Sequence, residues 1–492
     1  MKFISKGFLI ALCVFSLFFL QVFNPVAAVA QKGAKTAKPP AAHPKLAEAN
    51  YAFDVNAMGD MSDFDPATVQ FPKGDTIKVA VVASFTGPAA IVGKIYWAAV
   101  AWAAYDINQR GGIMVDGKKK FVEVIQADHM GRLDQCKKVA ERMALQEKVH
   151  VLIGTDGSHL MKVINQVADK YKIIAQNITS TSDDLMDATN FSRYAFMSCL
   201  SSSQVGSGLG YFYGQIRKKE KRFYIICQDY AFGRSIADSF KKGLKQYYPQ
   251  AKIVGEDYHK LFLTDFAPYL EKIKAAKPDV IFTGDWIPDG ANLVKQARQM
   301  GLKQPFAHLF LDDPNFLHEI GPQAATGNIQ ITQYGVEGGA FKTPEQIKYY
   351  KTWHDLWANR WKTEPYNSRL FEHGSGNLGS YRQQAYWLFS VIERAGSTDP
   401  EKIIAVWEND TYRLPTGKVL RMRACDHKVV QDLHVFEYVP AAQQKVSMNI
   451  EPYYWYKDAA STGLTWRIPA EKVMPWMDKN LERCAGKDEW GE

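Results

Sequence analysis

The sequence is poor in the features that betray most enzymes. Six cysteines are spread over 492 residues without a Cys-x-x-Cys pair, which leaves no zinc ribbon and no dithiol redox motif. There is no Gly-x-Ser-x-Gly and no His-Glu-x-x-His, and the eleven histidines are dispersed without metal-ligand spacing. Two adjoin an acid, in Asp128-His129 and Asp426-His427, but neighbours in an extended segment point opposite ways and do not form a dyad. An exported enzyme is therefore disfavoured, and no catalytic residue, metal or other cofactor is expected. Charge of one sign is also scarce: 60 Lys+Arg stand against 52 Asp+Glu, a net of +8 at pH 7. The densest basic run, Arg217 to Arg222, contains Glu220 and runs straight into an apolar strand. That is the pattern of a solvated helix end, and no nucleic-acid partner is expected. Beyond residue 30, no stretch approaches the roughly 18 apolar residues that a membrane span needs.

Residues 1–30 are different. Lys2 and Lys6 precede an apolar core from Phe8 to Phe23 and an Ala28-Val29-Ala30 site before Gln31, which reads as a cleavable secretory signal; a retained anchor is the alternative. Cys13 follows Leu12 rather than a small residue, which argues against lipid attachment there. The cysteines left after removal of the signal are Cys136, Cys199, Cys227, Cys425 and Cys484, an odd number. Cys136 and Cys227 sit in apolar patterns as core residues, and Cys425 with Cys484 is the expected bridge, tying down the C-terminal extension.

With 46% hydrophobic residues the chain can bury a large core and is expected to form two lobes. Residues 31–75 read as an N-terminal linker draped over the surface. Within it Asp54, Asn56, Gly59, Asp60, Ser62 and Asp65 fall on calcium-loop spacings, but Met58 occupies a ligand position and no flanking helices are evident, so a polar linker is the preferred reading. The chain is organised around residues 77–93, IKVAVVASFTGPAAIVG. The unbroken run Val79 to Ala83 predicts a strand covered on both faces, followed by a loop and a helix. Strands and helices then alternate to about residue 177 and start again near residue 204. This predicts an α/β fold of two lobes, each a mainly parallel sheet flanked by helices, with a ligand cleft between them at the carboxyl ends of the strands. The expected limits are 76–201 and 335–415 for lobe one, 202–334 and 416–440 for lobe two, and 441–492 for a C-terminal extension packed as a strap. The run with Gly206 and Gly208 has Tyr211 where a dinucleotide loop needs its third glycine; it reads as a hinge or helix start.

Several stretches, in order, resemble the branched-chain amino acid (Leu/Ile/Val-binding) type of periplasmic substrate-binding protein that serves ABC importers. They are VAVVASFTGPAAIVG, the helix ending Tyr105-Asp106-Ile107-Asn108 before Gly111-Gly112-Ile113, Val151-Leu152-Ile153-Gly154, Asp229-Tyr230-Ala231-Phe232-Gly233, Gln296 to Leu302, and Asp426 to Gln431. The resemblance implies a type I periplasmic-binding-protein fold over about residues 76–439. It implies that Ser158 at a helix start holds the ligand carboxylate, although the same serine could be a plain N-cap. It matches Asn177 and Thr179 to the loop around the ligand's head, with Ser180 and Thr181 close enough to replace Thr179. It places Tyr230 and Trp286 as lobe-two aromatics, Asp289 as the acidic partner of an ammonium group with Asp312 as a second candidate, and Val92 where relatives carry an aromatic. Asp156 and His159 depart from the pattern, and either face the cleft or stand as ordinary helix-start residues. Gly157 stands where the family's first-lobe disulfide would have a cysteine.

The function expected is capture of an amino acid or related small polar ligand by hinge closure, with delivery to ABC importer permease subunits, by a monomer in the periplasm. A ligand-sensing ectodomain-like protein feeding a signalling partner shares the fold and is the alternative.

Overall fold

The computed structural model describes residues 44–47, 51–52, 54–310, 320–321, 323–333, 344–372, 376–414, 418–440 and 461–492. Strand β1 (Ile77–Ala83) is the central strand of the first sheet, and all but Lys78 of its residues are buried. It pairs in parallel with β2 (Val122–Asp128) on one side and β3 (Val151–Gly154) on the other; β4 (Ile174–Asn177) and β5 (Ala195–Met197) complete a five-stranded parallel sheet. The helix after β1, α1 (Ala90–Gln109), is buried without interruption from Ile95 to Ala104. A helix apolar on every side needs cover on every side. The sheet covers one face of α1, and the long helix near the end of the chain, residues 376–395, packs on another. Helices α2 (Leu133–Arg142) and α3 (Ser158–Tyr171) are amphipathic and close the layer.

The second sheet has seven strands. Its parallel part orders β7 (Lys252–His259), β6 (Arg222–Gln228), β8 (Val280–Thr283), β9 (Phe306–His308) and β10 (Ile329–Thr332). Along β6 the alternation divides two cores. Phe223, Ile225 and Cys227 join Leu209 of α4 (Ser202–Tyr211) and Phe240 of α5 (Ala231–Tyr247). Tyr224 and Ile226 join the core that holds Leu270 of α6 (Ala267–Ala276) and Leu293 of α7 (Asp289–Gln299). The serine and glycine run before Tyr211 is a helix face, not a cofactor loop. A Cβ at Gly206 would lie 2.1 Å from the Ser239 carbonyl oxygen, and one at Gly243 1.9 Å from that of Gly206. Glycine lets α4 and α5 touch backbone to backbone, and Ser201 caps the start of α4 with a full capping box.

The end of the chain differs from the expected limits. After α8 (Pro344–Asn359), α9 (Gly376–Ala395) and α10 (Pro400–Trp407), strands β11 (Thr411–Arg413), β12 (Val419–Met422) and β13 (Val429–Val430) form a small separate sheet with Tyr51–Ala52. Backbone contacts of Met197 with His427 and Lys428 attach this region to the first sheet, so the chain enters the second sheet at β14 (Leu433–Val439), not at residue 416. Part of the expected extension is sheet: β15 (Ser461–Ile468) pairs antiparallel with β14. Residues 469–492 run on as a strap. Val473 enters the second core, Trp476 N–H donates to Ser203 Oγ at 2.8 Å, and Ala188 N–H donates to Asp478 at 2.9 Å. The Cys425–Cys484 bridge expected from the sequence is formed. Residues 441–460 of the expected extension lie outside the described residues.

The N-terminal segment is more than a draped linker. Phe64 is fully buried among Trp102, Tyr105 and Trp361, and the Trp361 indole N–H donates to its carbonyl at 2.9 Å. Asp54, Asp60 and Asp65 each accept the backbone N–H two residues on. The calcium-like spacing is thus a series of local turns.

Among the described residues, the chain leaves the first sheet after Met197 and enters the second sheet's antiparallel edge at Leu433. Gln333 links the two stretches: its Oε1 accepts from Leu200 N–H at 2.7 Å and from the Gln431 amide at 3.4 Å, and its Nε2 donates to Ser380 Oγ at 3.1 Å.

Candidate functional site

Helices α3 and α5, each following the carboxyl end of a parallel strand, touch at their N-termini. On the first side, the loop after β1 is held from two directions. Asp128 accepts Phe85 N–H at 3.0 Å and the Thr86 hydroxyl at 2.7 Å. Asp156 accepts Ser84 N–H at 2.9 Å and the Ser84 hydroxyl at 2.6 Å. Asp156 is buried, with Thr155 Oγ1 3.3 Å and His129 Nε2 3.5 Å from the same oxygen. Its side chain buttresses the β1 loop.

Ser158 is the first residue of α3, and Gly157, at φ +117°, is the N-cap with no side-chain cap bond. Ser158 is therefore not the cap: its hydroxyl instead accepts Ser182 N–H at 3.4 Å. The N-terminal turn of α3 leaves backbone N–H groups for other partners and presents the positive end of the helix dipole. Facing it is the loop after β4. Asn177 builds this loop, accepting Thr179 N–H at 3.1 Å and Ser180 N–H at 2.8 Å and donating to the Ser180 carbonyl at 2.6 Å. The Thr179 hydroxyl is paired with Tyr381 OH at 3.0 Å, and Tyr381 packs edge-on to Tyr96 at 5.0 Å. The hydroxyls of Thr181 and Ser182, by contrast, are buried with no hydrogen-bond partner. Both hydroxyls keep donor and acceptor capacity for a further hydrogen bond.

On the second side, Tyr230 is the N-cap residue of α5, and its hydroxyl accepts the Trp286 indole N–H at 2.9 Å. Trp286 leans edge-on against Phe262 at 5.7 Å. Burial pushes the Tyr230 hydroxyl well above the usual phenol range, so it stays protonated and can donate. Asp289 opens α7 and is fully buried. Its Oδ2 accepts from Gln228 Nε2 at 2.8 Å and Phe262 N–H at 2.9 Å, while Oδ1 has no partner. Burial raises its pKa above the ordinary carboxylate value despite those two donors. Behind it, His259 and Asp285 form a fully buried pair at 2.7 Å. Burial alone would lower the imidazole pKa, but the Asp285 carboxylate outweighs it and raises it. The two sides meet where the His159 ring packs edge-on against Tyr230, with centroids 5.7 Å apart.

The structure thus gathers Ser158, Asn177 and Thr179 on one wall and Tyr230, Trp286 and Asp289 on the other. Asp312 lies outside the described residues. Of the two residues that depart from the family pattern, Asp156 points down into the β1 loop and His159 points across. Thr181 adjoined Thr179 in the sequence, but its free hydroxyl was legible only once Tyr381, some 200 residues away, was seen to occupy Thr179. Ser182, Tyr381 and Tyr96 carry no signal in the sequence.

Residues 76–444 match the family model described as periplasmic binding protein. The chain belongs to that family. Among its relatives is the Leu/Ile/Val-binding protein homolog 4 of Brucella abortus, 26% identical over 297 residues; the match covers 56% of this chain and 66% of that protein. Two solved structures share the fold at 20% identity. One is a periplasmic binding protein from Burkholderia mallei, with a TM-score of 0.66 and coverage of 84% of this chain and 99% of that one. The other is an ABC-transporter solute-binding protein from Rhodopseudomonas palustris in complex with 3,4-dihydroxybenzoic acid, with a TM-score of 0.65 and coverage of 81% and 98%. No helix among the described residues is long and apolar enough to cross a membrane.

Proposed function

We propose that the protein captures an amino acid or a related small polar ligand outside the cytoplasm, closes its lobes over it and delivers it to the permease of an ABC importer. The observation that carries this reading is the pairing of complementary walls. The N-terminus of α3 with the unpartnered Thr181 and Ser182 hydroxyls suits a carboxylate, and the unpartnered Oδ1 of Asp289, beside Tyr230 and Trp286, suits an ammonium group. Leader cleavage after Ala30 would release the chain into the periplasm. The name of the Brucella relative points to the same ligand class. Family membership favours binding over catalysis.

A second reading has one observation in its favour: the aromatic set His159, Tyr230, Trp286 and Phe262 could hold an aromatic acid of the kind bound by the Rhodopseudomonas structure. A thermal-shift panel of L-amino acids and hydroxybenzoic acids separates the two. Ligand at 100 times its dissociation constant should add about 2.7 kcal/mol of stability. Stabilisation by L-amino acids, reduced in Ser158→Ala, is expected; stabilisation by the aromatic acids alone supports the second reading.

A further inference from the structure

We propose that His159 is a closure latch: a positioning residue of the first lobe that seats Tyr230 of the second and so holds the Tyr230–Trp286 wall over the ligand. The proposal rests on the reading that the cleft closes on a ligand, and it adds to that reading a residue that holds the closed form without touching the ligand.

The geometry is specific. His159 is in the first turn of α3 and Tyr230 is the N-cap residue of α5, so their ring contact lies where the two helix N-termini face each other across the lobes. Tyr230 is held in turn by the Trp286 indole, giving a chain from the first lobe to the second: His159 ring, Tyr230 ring and hydroxyl, Trp286. Gly157 makes room for the first link. The His159 ring folds back so far that a Cβ at position 157 would lie 2.9 Å from its Cε1 and 3.2 Å from its Nδ1, and φ of +117° independently favours glycine there. The sequence therefore gives up a side chain at 157 in favour of a ring at 159.

The latch has a preferred protonation state. His159 Nδ1 is buried with no hydrogen-bond partner. A neutral ring can leave that nitrogen as a bare acceptor, but a protonated ring would bury an N–H without an acceptor. The titratable groups around it are Asp156 on its own turn, His129 at the end of β2, and Tyr230. Burial lowers the His159 pKa and outweighs Asp156, which pulls the other way, while His129 adds to the lowering. Opening the cleft returns the ring to water and its pKa toward the ordinary 6.5. Closure then releases a proton below about pH 6.5, so the closed form is favoured at higher pH and loses ground as pH falls.

The test uses the mature chain with spin labels on cysteines introduced at the exposed Lys137 and Lys274, one on each lobe. Interlobe distances are measured without ligand and with L-leucine, at pH 7.5 and 5.5, and L-leucine affinity is measured in parallel. His159→Ala and Gly157→Ala should shift the distances toward the open form at pH 7.5 and weaken leucine about three- to tenfold through faster dissociation, the scale of one aromatic pair. In the native protein, lowering the pH to 5.5 should open the cleft and weaken binding by up to about tenfold. His159→Phe keeps an aromatic edge but cannot be protonated; it should recover most of the closure lost in His159→Ala and show a flat pH response. Unchanged distances in His159→Ala would overturn the latch, as would a pH response that persists in His159→Phe. If L-leucine fails to bind while the ligand-free distances follow this pattern, the latch stands and the amino-acid reading falls.

Discussion

Single residues in this protein often act by committing another residue's hydrogen bonds. Asn177 is an example: the resemblance matched it to the loop around a ligand's head, and its amide is used in shaping that loop. Asp156 similarly orients Ser84. A titration effect of this kind outside the cleft is at Glu408, next to the C-terminal strap. Burial alone would raise its pKa, but hydrogen bonds from His427 and Arg483 pull it down to about 2. A carboxylate held below its unfolded value stabilises the fold above that value and loses the contribution as pH falls through the folded one. Glu408→Gln should therefore lower the melting temperature at pH 7, and the gap to the native protein should close as pH falls from about 4.5 toward 2. A gap that stays constant over that range would show that the charge contributes nothing.

At the scale of elements, the long apolar runs were the legible part. Val79 to Ala83 read as a strand because a strand covered on both faces needs no polar alternation, and it lies within the strand Ile77–Ala83. The short strands Ala195–Met197, Thr411–Arg413 and Val419–Met422 were not legible. Each is three or four residues long and is fixed by partners distant in sequence, so local pattern carries little information about them. Ser461–Ile468 was hidden for the same reason: its place at the edge of the second sheet follows from pairing with Leu433–Val439 across residues 441–460. The strap that follows it depends on the Cys425–Cys484 bridge, whose residues are 59 apart. A loop of that length is worth up to about 4 kcal/mol in chain entropy. The double variant Cys425→Ser/Cys484→Ser should have a clearly lower melting temperature, and added reductant should lower that of the native protein but not that of the double variant. Equal melting temperatures for native and variant proteins would remove the bridge from the account of stability.

For the whole molecule, the two-lobed α/β architecture could be read from the order of apolar runs, and the wall residues were named only through the resemblance. The distribution of polar roles within the walls could not be read. Which hydroxyl is free, Thr179 or Thr181, depends on Tyr381 in a helix more than 200 residues away; whether Asp156 faces a ligand depends on Ser84, 72 residues earlier. Such choices are made by the packing of the folded chain. The contacts of Gln333 with Leu200, Ser380 and Gln431, and of Asp478 with Ala188, belong to the same scale, because each joins residues far apart in the chain. These walls are expected to close over a small ligand, and the most direct test is small-angle X-ray scattering of the mature protein titrated with the L-amino acid that stabilises it most. The radius of gyration should fall and saturate with the binding isotherm. Saturable binding with an unchanged radius of gyration would contradict closure.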